Sequence, residues 1–300
     1  MEASNQADYI PASAVIVNVA SVPHRSPFRY PGGKTWLVPL ARDWLLERPG
    51  VDTLVEPFAG GAIVGLTALF EGLAKELTMV ELDQDVAAVW GTILNGHGAD
   101  LIHRICTFDM SLEHVRDLLA AEPRTPLDRA FHTIVRNRVQ RGGILAPGAS
   151  LMKDGENGRG VRSRWYADTL RKRIEAIIAV KERVNFVHGD GIAYMRQVGT
   201  RQNVAYFIDP PYTVAGRRLY THSAVDHEAI FQVASTLAGD FLMTYDNTDE
   251  IRALASHCGF DTALVPMKST HHERKMELLI GRNLDWARRA LRPLQPSLHL

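Results

Sequence analysis

Short apolar runs alternate along much of the chain with segments whose apolar residues have helical spacing. Six runs are predicted to form strands: 53–55, 77–80, 184–187, 204–208, 241–245 and 278–280. Helical spacing follows two of them, over residues 62–73 and from about Asp85. Strands separated by helices predict an α/β fold with a parallel, doubly wound sheet.

The stretch 101–183 departs from this alternation. It begins with helical segments and continues into a loop rich in glycine and arginine. Residues 131–183 contain twelve Lys or Arg against five Asp or Glu, a local excess of seven positive charges. Because the 34 basic and 34 acidic residues of the whole chain cancel, this excess favours a surface that binds a polyanion. A solvated helical face with a mobile loop is the alternative.

These patterns divide the chain into four parts. Residues 1–25 form an N-terminal extension, in which 14–19 either make an edge strand or stay loose. Residues 26–100 and 184–283 form one α/β domain, residues 101–183 form a mainly helical insert, and residues 284–300 form a C-terminal tail.

Composition narrows the class of protein. A chain of 300 residues with 46% hydrophobic and 23% charged side chains is typical of a soluble globular protein. No apolar run approaches the roughly 20 residues that span a bilayer. The N-terminus has no Lys or Arg before Arg25, unlike a signal peptide. We therefore expect a cytoplasmic protein without a membrane partner.

Cysteine and histidine chemistry is not expected. Cys106 and Cys258 are 152 positions apart with no Cys-x-x-Cys pair, which argues against a disulfide scaffold or a cysteine-ligated zinc site. The adjacent His271 and His272 would point to opposite faces of a strand and lack the i, i+4 helical spacing that suits zinc. No metal site is predicted.

The most specific chemical signal is the DPPY segment, residues 209–212, directly after the predicted strand 204–208. Reactive groups of an open α/β sheet gather beyond the carboxyl ends of its strands. The two prolines stiffen the turn and lack an N–H, so the Asp209 carboxylate and the Pro210 carbonyl form a rigid pair of acceptors beside the Tyr212 ring. That arrangement suits a planar base gripped through its exocyclic amine. A tight surface turn is the alternative.

A second segment, EPFAGGA at 56–62, joins the first predicted strand to its helix. Glycines there let the backbone approach a ligand, and a helix N-terminus favours an anionic group. Glu81 ends the next strand, 25 residues after Glu56. In nucleotide-binding folds, an acid at about this distance along the chain binds the ribose hydroxyls. Asp83 competes for this role.

Two further segments flank these signals. The FRYPGGK segment, residues 28–34, lacks the spacing of a phosphate-binding loop and does not follow a strand, which disfavours a nucleotide triphosphatase. The HGDG segment, residues 188–191, places Asp190 at another strand end.

Together these segments resemble the D12 class of adenine-specific DNA methyltransferases, the family of the Dam methylase. FRYPGGK, VEPFAGGA, VELD, HGDG and DPPY follow the order of the family, and the later YDNTDEI and MELLI segments are also similar to it. The resemblance covers about residues 26–283. It implies a Rossmann-like methyltransferase domain at 26–100 and 184–283, with a target-recognition domain inserted at 101–183. It also implies S-adenosyl-L-methionine as cofactor and double-stranded DNA as partner.

The resemblance further implies roles for individual residues. Asp209, Pro210 and Tyr212 would hold a target adenine that has left the duplex, for methylation at its exocyclic amine. The cofactor would be bound by Tyr30, Gly32, Lys34, Glu56, Phe58, Gly60, Glu81, Asp190 and Gly191. In the insert, DNA contacts are expected from Arg136, Arg138, Arg141, Arg162 and Arg164. Arginine either neutralises phosphate or binds guanine edges, and the sequence allows both.

Two departures and two other functions stay open at this point. The family often has Gly at the position of Ala62, and this departure concerns the cofactor loop. The family often has Asp-x-Asn where residues 81–83 are Glu-Leu-Asp, and this departure concerns the residue that binds the ribose. One alternative is methylation of another planar amine, in DNA cytosine or RNA adenine. The other is DNA binding without catalysis, which the intact 209–212 segment disfavours. No obligate protein partner is expected, although the class admits a cognate restriction enzyme or another defence component.

Overall fold

The computed structural model describes residues 22–29, 33–145, 149–152, 155, 158–212, 225–268 and 274–291. The strands are β1 (Thr53–Glu56), β2 (Glu76–Glu81), β3 (Val184–His188), β4 (Val204–Ile208), β5 (Asp240–Asp246), β6 (Asp261–Lys268) and β7 (Arg274–Gly281). The helices are α1 (Val38–Leu46), α2 (Ile63–Phe70), α3 (Gln84–Thr92), α4 (Gly98–Thr107), α5 (Leu112–Ala120), α6 (Pro126–Val139), α7 (Ala167–Ala179), α8 (Gly191–Val198), α9 (His227–Thr236), α10 (Asp249–His257) and α11 (Asp285–Ala290).

The strands form one sheet in the order β3-β2-β1-β4-β5-β7-β6. β1 to β5 pair in parallel, whereas β7 is antiparallel to both β5 and β6. The chain runs outward from β1 to β3 and then returns to β4, so the order reverses between β1 and β4. Ligands of doubly wound sheets bind at this kind of switch point. The predicted doubly wound, Rossmann-like α/β fold is confirmed, but the expectation of a wholly parallel sheet is wrong because β7 runs in the opposite direction.

The central strand β4 is buried on both faces of the sheet. Val204, Tyr206 and Ile208 belong to one hydrophobic cluster, and Ala205 and Phe207 belong to the other. Burial on both faces explains why its sequence is a continuous apolar run rather than an alternating one. β4 therefore holds the 209–212 turn at the centre of the edge.

The helices of the insert pack on the domain instead of forming a separate core. Their buried residues share one hydrophobic cluster with α1, α2 and α3. On α3, Asp85 accepts from Arg129 and Arg136 of α6 at 2.9 and 2.8 Å. This packing places α6 along α3.

Helix α6 also holds the start of the FRYPGGK segment and the residue before it. The Asn137 side chain accepts from the Arg29 N–H at 2.8 Å and donates to the Arg29 carbonyl at 2.9 Å. Arg138 donates to the Pro27 carbonyl and is only 5% exposed. Among the described residues, no helix is long and apolar enough to cross a membrane.

Candidate active site at the carboxyl edge of the sheet

Most of the predicted acidic site residues lie at one edge of the sheet. β1 ends at Glu56 and β2 ends at Glu81, while Asp190 and Asp209 follow β3 and β4. Parallel strands bring these ends together. Because β7 is antiparallel, Glu277 near its start pairs with the last residue of β5 and lies at the same edge.

The Asp209 carboxylate is held by two side chains from elsewhere in the chain. Lys34 Nζ lies 3.0 Å from Asp209 Oδ1, and Thr244 Oγ1 on β5 donates to the same oxygen at 2.7 Å. The Lys34 side chain is 4% exposed, whereas that of Asp209 is 22% exposed. Both contacts are to Oδ1, so Oδ2 is the oxygen that can accept from a ligand.

Tyr212 completes this cluster. Its hydroxyl donates to Glu277 Oε2 at 3.0 Å. Lys34 Nζ lies 3.6 Å from the same Glu277 oxygen and 4.7 Å from the centroid of the Tyr212 ring. The ring also stacks on Tyr245, with centroids 5.9 Å apart and planes 20° apart. The ammonium of Lys34 therefore contacts two carboxylates and one aromatic ring.

Electrostatics within the cluster favour a charged lysine and a neutral phenol. Burial by itself would lower the pKa of Lys34, but the Asp209 and Glu277 carboxylates outweigh burial and raise that pKa. Burial raises the pKa of Glu277, Asp209 adds to the rise and Lys34 opposes it. Burial, with the charges of Asp209 and Glu277, holds the pKa of Tyr212 well above its usual value. Tyr212 is therefore a hydrogen-bond donor at neutral pH.

The turn after β1 is organised by Glu56. Its Oε1 accepts from the Gly65 N–H in the first turn of α2 at 2.7 Å. The residue that precedes α2 is Ala62, which has no side-chain oxygen to cap the helix. A Cβ on Gly65 would lie 3.0 Å from the Glu56 carboxyl carbon and 2.4 Å from Leu77 Cδ1. Glu56 thus replaces the missing cap, and only glycine leaves it room.

This turn also adopts left-handed backbone. Gly60 has φ 47° and Ala62 has φ 48°. A residue with a Cβ is strained in this region of φ and ψ, whereas glycine is not. The departure from the family noted at Ala62 therefore falls at a position whose backbone favours glycine.

Glu81 holds the same turn from the neighbouring strand. Its two carboxylate oxygens accept from the N–H groups of Gly60 and Asp83, each at 2.8 Å. Trp90 Nε1 donates to the Gly60 carbonyl at 2.9 Å. Asp83 instead caps α3, accepting from the two N–H groups at 85 and 86 at 2.8 and 3.1 Å. Glu81, rather than Asp83, therefore faces the turn.

Burial makes the two glutamates of this region weak acids. It raises the pKa of Glu56 to about 8, with Asp209 adding to the rise and the Gly65 N–H opposing it. It raises the pKa of Glu81 to about 7, with the N–H groups of Asp83 and Gly60 opposing it. Glu56 Oε2 is buried with no hydrogen-bond partner among the described residues.

The turn after β3 contacts the turn after β1. A Cβ on Gly191 would lie 1.9 Å from the Pro57 carbonyl oxygen, so the two turns approach as closely as glycine allows. Asp190 is exposed, and its Oδ1 caps α8 by accepting from the Ala193 N–H at 2.8 Å. Phe58 is half-buried beside these turns.

These turns together fit a nucleoside-like ligand. They present the unpartnered Oε2 of Glu56 and the carboxylates of Glu81 and Asp190, which accept from hydroxyl and amino groups. Glycine at 60 and 191 allows close backbone approach. Lys34, expected among the cofactor ligands, lies instead against Asp209 and Glu277. Tyr30 and Gly32 lie outside the described residues.

The structure separates the five arginines predicted to contact DNA. Arg141 is exposed, the Arg162 side chain is 61% exposed, and Arg164 is half-buried. Arg136 is held by Asp85 and by the Leu145 carbonyl, and Arg138 is buried against Pro27. The burial of Arg138 does not agree with the DNA contact expected of it, and Arg136 is engaged within the protein.

Thr244, Tyr245 and Glu277 were not among the predicted site residues. Thr244 and Tyr245 lie within the predicted strand 241–245, and Glu277 lies within the MELLI segment. Both segments are similar to the family, but strand periodicity alone does not show that β7 is antiparallel and brings Glu277 to this edge. No cluster of three or more potential metal ligands occurs within the described ranges. His271, His272 and Glu273 fall outside those ranges.

Comparison with known proteins yields structural likeness only. No family model and no curated protein matches the sequence. A protein of Escherichia coli provisionally named a methyltransferase is 13% identical with a TM-score of 0.39, over 86% of this chain and 90% of its own. One from Pyrococcus horikoshii, provisionally named an RNA methyltransferase, is 13% identical with a TM-score of 0.38, over 85% and 84%. Spermidine synthase of Thermotoga maritima is 10% identical with a TM-score of 0.37, over 93% and 63%. Likeness at this level does not tell what the chain does, so its function is inferred from the site.

Proposed function

We propose that this protein is an S-adenosyl-L-methionine-dependent methyltransferase that modifies the exocyclic amine of adenine in double-stranded DNA. The observation that carries the proposal is the 209–212 turn at the end of β4, with Asp209 and Tyr212 joined through Lys34 and Glu277. The sheet order also agrees with the methyltransferase sheet that the family resemblance implies.

The turns after β1, β2 and β3 would hold the cofactor. S-adenosyl-L-methionine supplies an activated methyl group on a sulfonium sulfur. Glu81 would accept from ribose hydroxyls, Asp190 would face the adenine moiety, and the unpartnered Glu56 Oε2 is available to a polar group of the cofactor. Each of these assignments requires only the acceptors that the structure places at this edge.

Asp209 and Pro210 would act on the target amine. The lone pair of an exocyclic adenine amine is delocalised into the ring, so the nitrogen is a poor nucleophile. Asp209 Oδ2 and the Pro210 carbonyl would accept its two hydrogens and favour the tetrahedral nitrogen that attack requires. This stabilises charge that develops in the transition state, and Tyr212 would orient the base as it leaves the duplex.

The exposed basic surface of the insert is the proposed DNA contact. A groove of about 480 Å³ there has an apolar lining that includes Met110 and Val161, and Arg116, Arg159 and Arg162 line it as well. All three arginines are exposed. They give the groove a cationic lining suited to phosphate.

The direct test is transfer of labelled methyl groups from S-adenosyl-L-methionine to unmethylated duplex DNA. We expect transfer to adenine by the wild-type chain. Asp209→Ala should reduce it by about a hundredfold to a thousandfold, the range for a lost transition-state contact. Cofactor affinity should stay within about tenfold, because Asp209 acts mainly in the transition state.

Glu76→Gln is the control, since Glu76 is an exposed acid at the start of β2, at the opposite end of that strand from Glu81. It should transfer methyl groups like the wild type. Near-normal transfer by Asp209→Ala would contradict the mechanism. Methylation of cytosine, or of RNA in preference to duplex DNA, would replace the proposed substrate.

A further inference from the structure

Glu277 occupies a position that the proposed reaction does not by itself explain. It lies on β7, is 8% exposed, and contacts both Tyr212 and Lys34 through one oxygen, Oε2. A buried carboxylate is costly unless its charge and hydrogen bonds are compensated. The two contacts supply that compensation and join β7 to the 209–212 turn.

The Lys34 ammonium lies nearer to one carboxylate of this cluster than to the other. The Lys34 ammonium lies 3.0 Å from Asp209 and 3.6 Å from Glu277. One cation between two carboxylates leaves the cluster with a single net negative charge. Without Glu277, Asp209 would be the carboxylate that remains beside the ammonium among the described residues. A carboxylate that neutralises a cation by itself attracts a further donor less strongly.

Glu277 also orients the Tyr212 ring. The hydroxyl bond at 3.0 Å restrains the ring from one end, while Tyr245 packs against the ring itself. The same carboxylate thus influences both the acceptor and the aromatic group that the target base would meet.

We propose that Glu277 is a positioning residue for methyl transfer. It shares the Lys34 ammonium with Asp209, so that the target amine meets a charged acceptor. It also accepts from the Tyr212 hydroxyl, so that the target meets an oriented ring. This inference rests on the proposed function and adds a residue from β7 to the site. It assigns Lys34 to the target side of the site.

Glu277→Gln tests the charge while keeping an amide oxygen that can accept from Tyr212. We expect kcat to fall about tenfold to a hundredfold, the range that one lost charged hydrogen bond corresponds to. The dissociation constant for S-adenosyl-L-methionine should not change, because the side-chain contacts of Glu277 are with Lys34 and Tyr212, on the target side of the site. Glu76→Gln, which removes an exposed acid at the start of β2, is the matched control and should match the wild type.

A double-mutant cycle with Lys34→Met tests whether Glu277 acts through the lysine. The double variant Lys34→Met with Glu277→Gln restores the single net negative charge of the cluster. Its loss of kcat should therefore be smaller than the product of the two single losses. Unfolding curves recorded at the assay temperature verify that each variant is folded.

The outcomes separate the two claims. If the wild-type chain transfers no methyl group, the proposed function fails and the inference fails with it. If the wild type is active but Glu277→Gln retains its kcat, or the two losses multiply, the inference alone is overturned. Should Glu277→Gln not fold, Tyr212→Phe decides the matter, because it removes only the hydroxyl that Glu277 holds. A fall in kcat at unchanged cofactor affinity supports the inference, and an unchanged kcat refutes it.

Discussion

Two halves of the same sheet edge use buried acids in different ways. In the β1–β2 half, Glu56 and Glu81 accept from main-chain N–H groups of the adjoining turns. In the β4–β7 half, Asp209 and Glu277 accept from side chains, chiefly Lys34. Among the residues that the structure describes, the first half contains no buried cation, whereas the second is built around one.

This difference matters for the chemistry of each half. Acids that bind main-chain groups fix the shape of a turn, and with a pKa of about 8 for Glu56 they need not carry charge to do so. Acids that surround a lysine keep that cation charged inside the protein: burial opposes the charge, but Asp209 and Glu277 outweigh burial and raise the pKa of Lys34. We infer that the β1–β2 half supplies a shaped acceptor surface and the β4–β7 half supplies an electrostatic one.

The largest expected effect comes from removing the buried cation. Lys34→Met leaves Asp209 and Glu277 facing each other without compensation, so we expect the free energy of unfolding to fall by about 3–5 kcal/mol. Denaturant unfolding at pH 8 measures the loss. Lys75→Met, whose exposed ammonium pairs with Asp52 at 2.6 Å, is the control and should cost much less, because water screens an exposed ion pair. Equal losses for the two lysines would remove the distinction between the halves.

The second effect is a pH dependence that belongs to the β1–β2 half. Glu56 and Glu81 have folded pKa values of about 8 and about 7, above the ordinary 4.5. Above pH 4.5 the unfolded chain releases protons that the folded chain keeps. The contribution of these two groups to stability is therefore largest below pH 4.5, and it declines as pH rises towards 7 for Glu81 and towards 8 for Glu56. The decline is about 1.4 kcal/mol per pH unit for each group.

Unfolding free energies measured from pH 5 to 8.5 for the wild type and Glu56→Gln check this prediction. The variant keeps an acceptor for the Gly65 N–H but has no titrating group at position 56. Its free energy of unfolding should therefore decline less steeply with pH, by the contribution of one group. Parallel profiles would show that Glu56 does not hold a proton in the folded chain.

The smallest effect separates two neighbouring acids within the β1–β2 half. Asp83→Ala removes the cap of α3 and should lower stability by about 1 kcal/mol with little change in cofactor affinity. Glu81→Ala should weaken binding of S-adenosyl-L-methionine by about tenfold, as expected for a lost hydrogen bond. Calorimetry gives the affinities. The reverse order of affinity losses would assign the ribose to Asp83.

Much of the scaffold was predictable, because apolar runs and strand-end acids are local in sequence. The strand before the 209–212 turn and the glycine-bearing turn after β1 both formed where the pattern indicated. β6 was missed, since its residues carry no clear alternation, and with it the reversed direction of β7. The partner of Asp209 was missed as well, because Lys34 reaches it through packing of distant segments.

Charge counting was informative about the insert but not about individual arginines. The excess of positive charge does not distinguish exposed Arg141 from Arg138, which is buried against the Pro27 carbonyl. Whether an arginine on α6 faces solvent depends on what packs against that helix. Here the N-terminal segment 22–29 does so, and no local pattern in the sequence indicates it.

The most direct measurement is a map of modified bases in DNA from a methylation-free host that expresses this protein. Single-molecule sequencing should find methyladenine within one short sequence, and the Asp209→Ala chain should leave that sequence unmodified. Unmodified DNA from cells that contain the folded wild-type protein, or methyl groups on cytosine instead, would contradict the account.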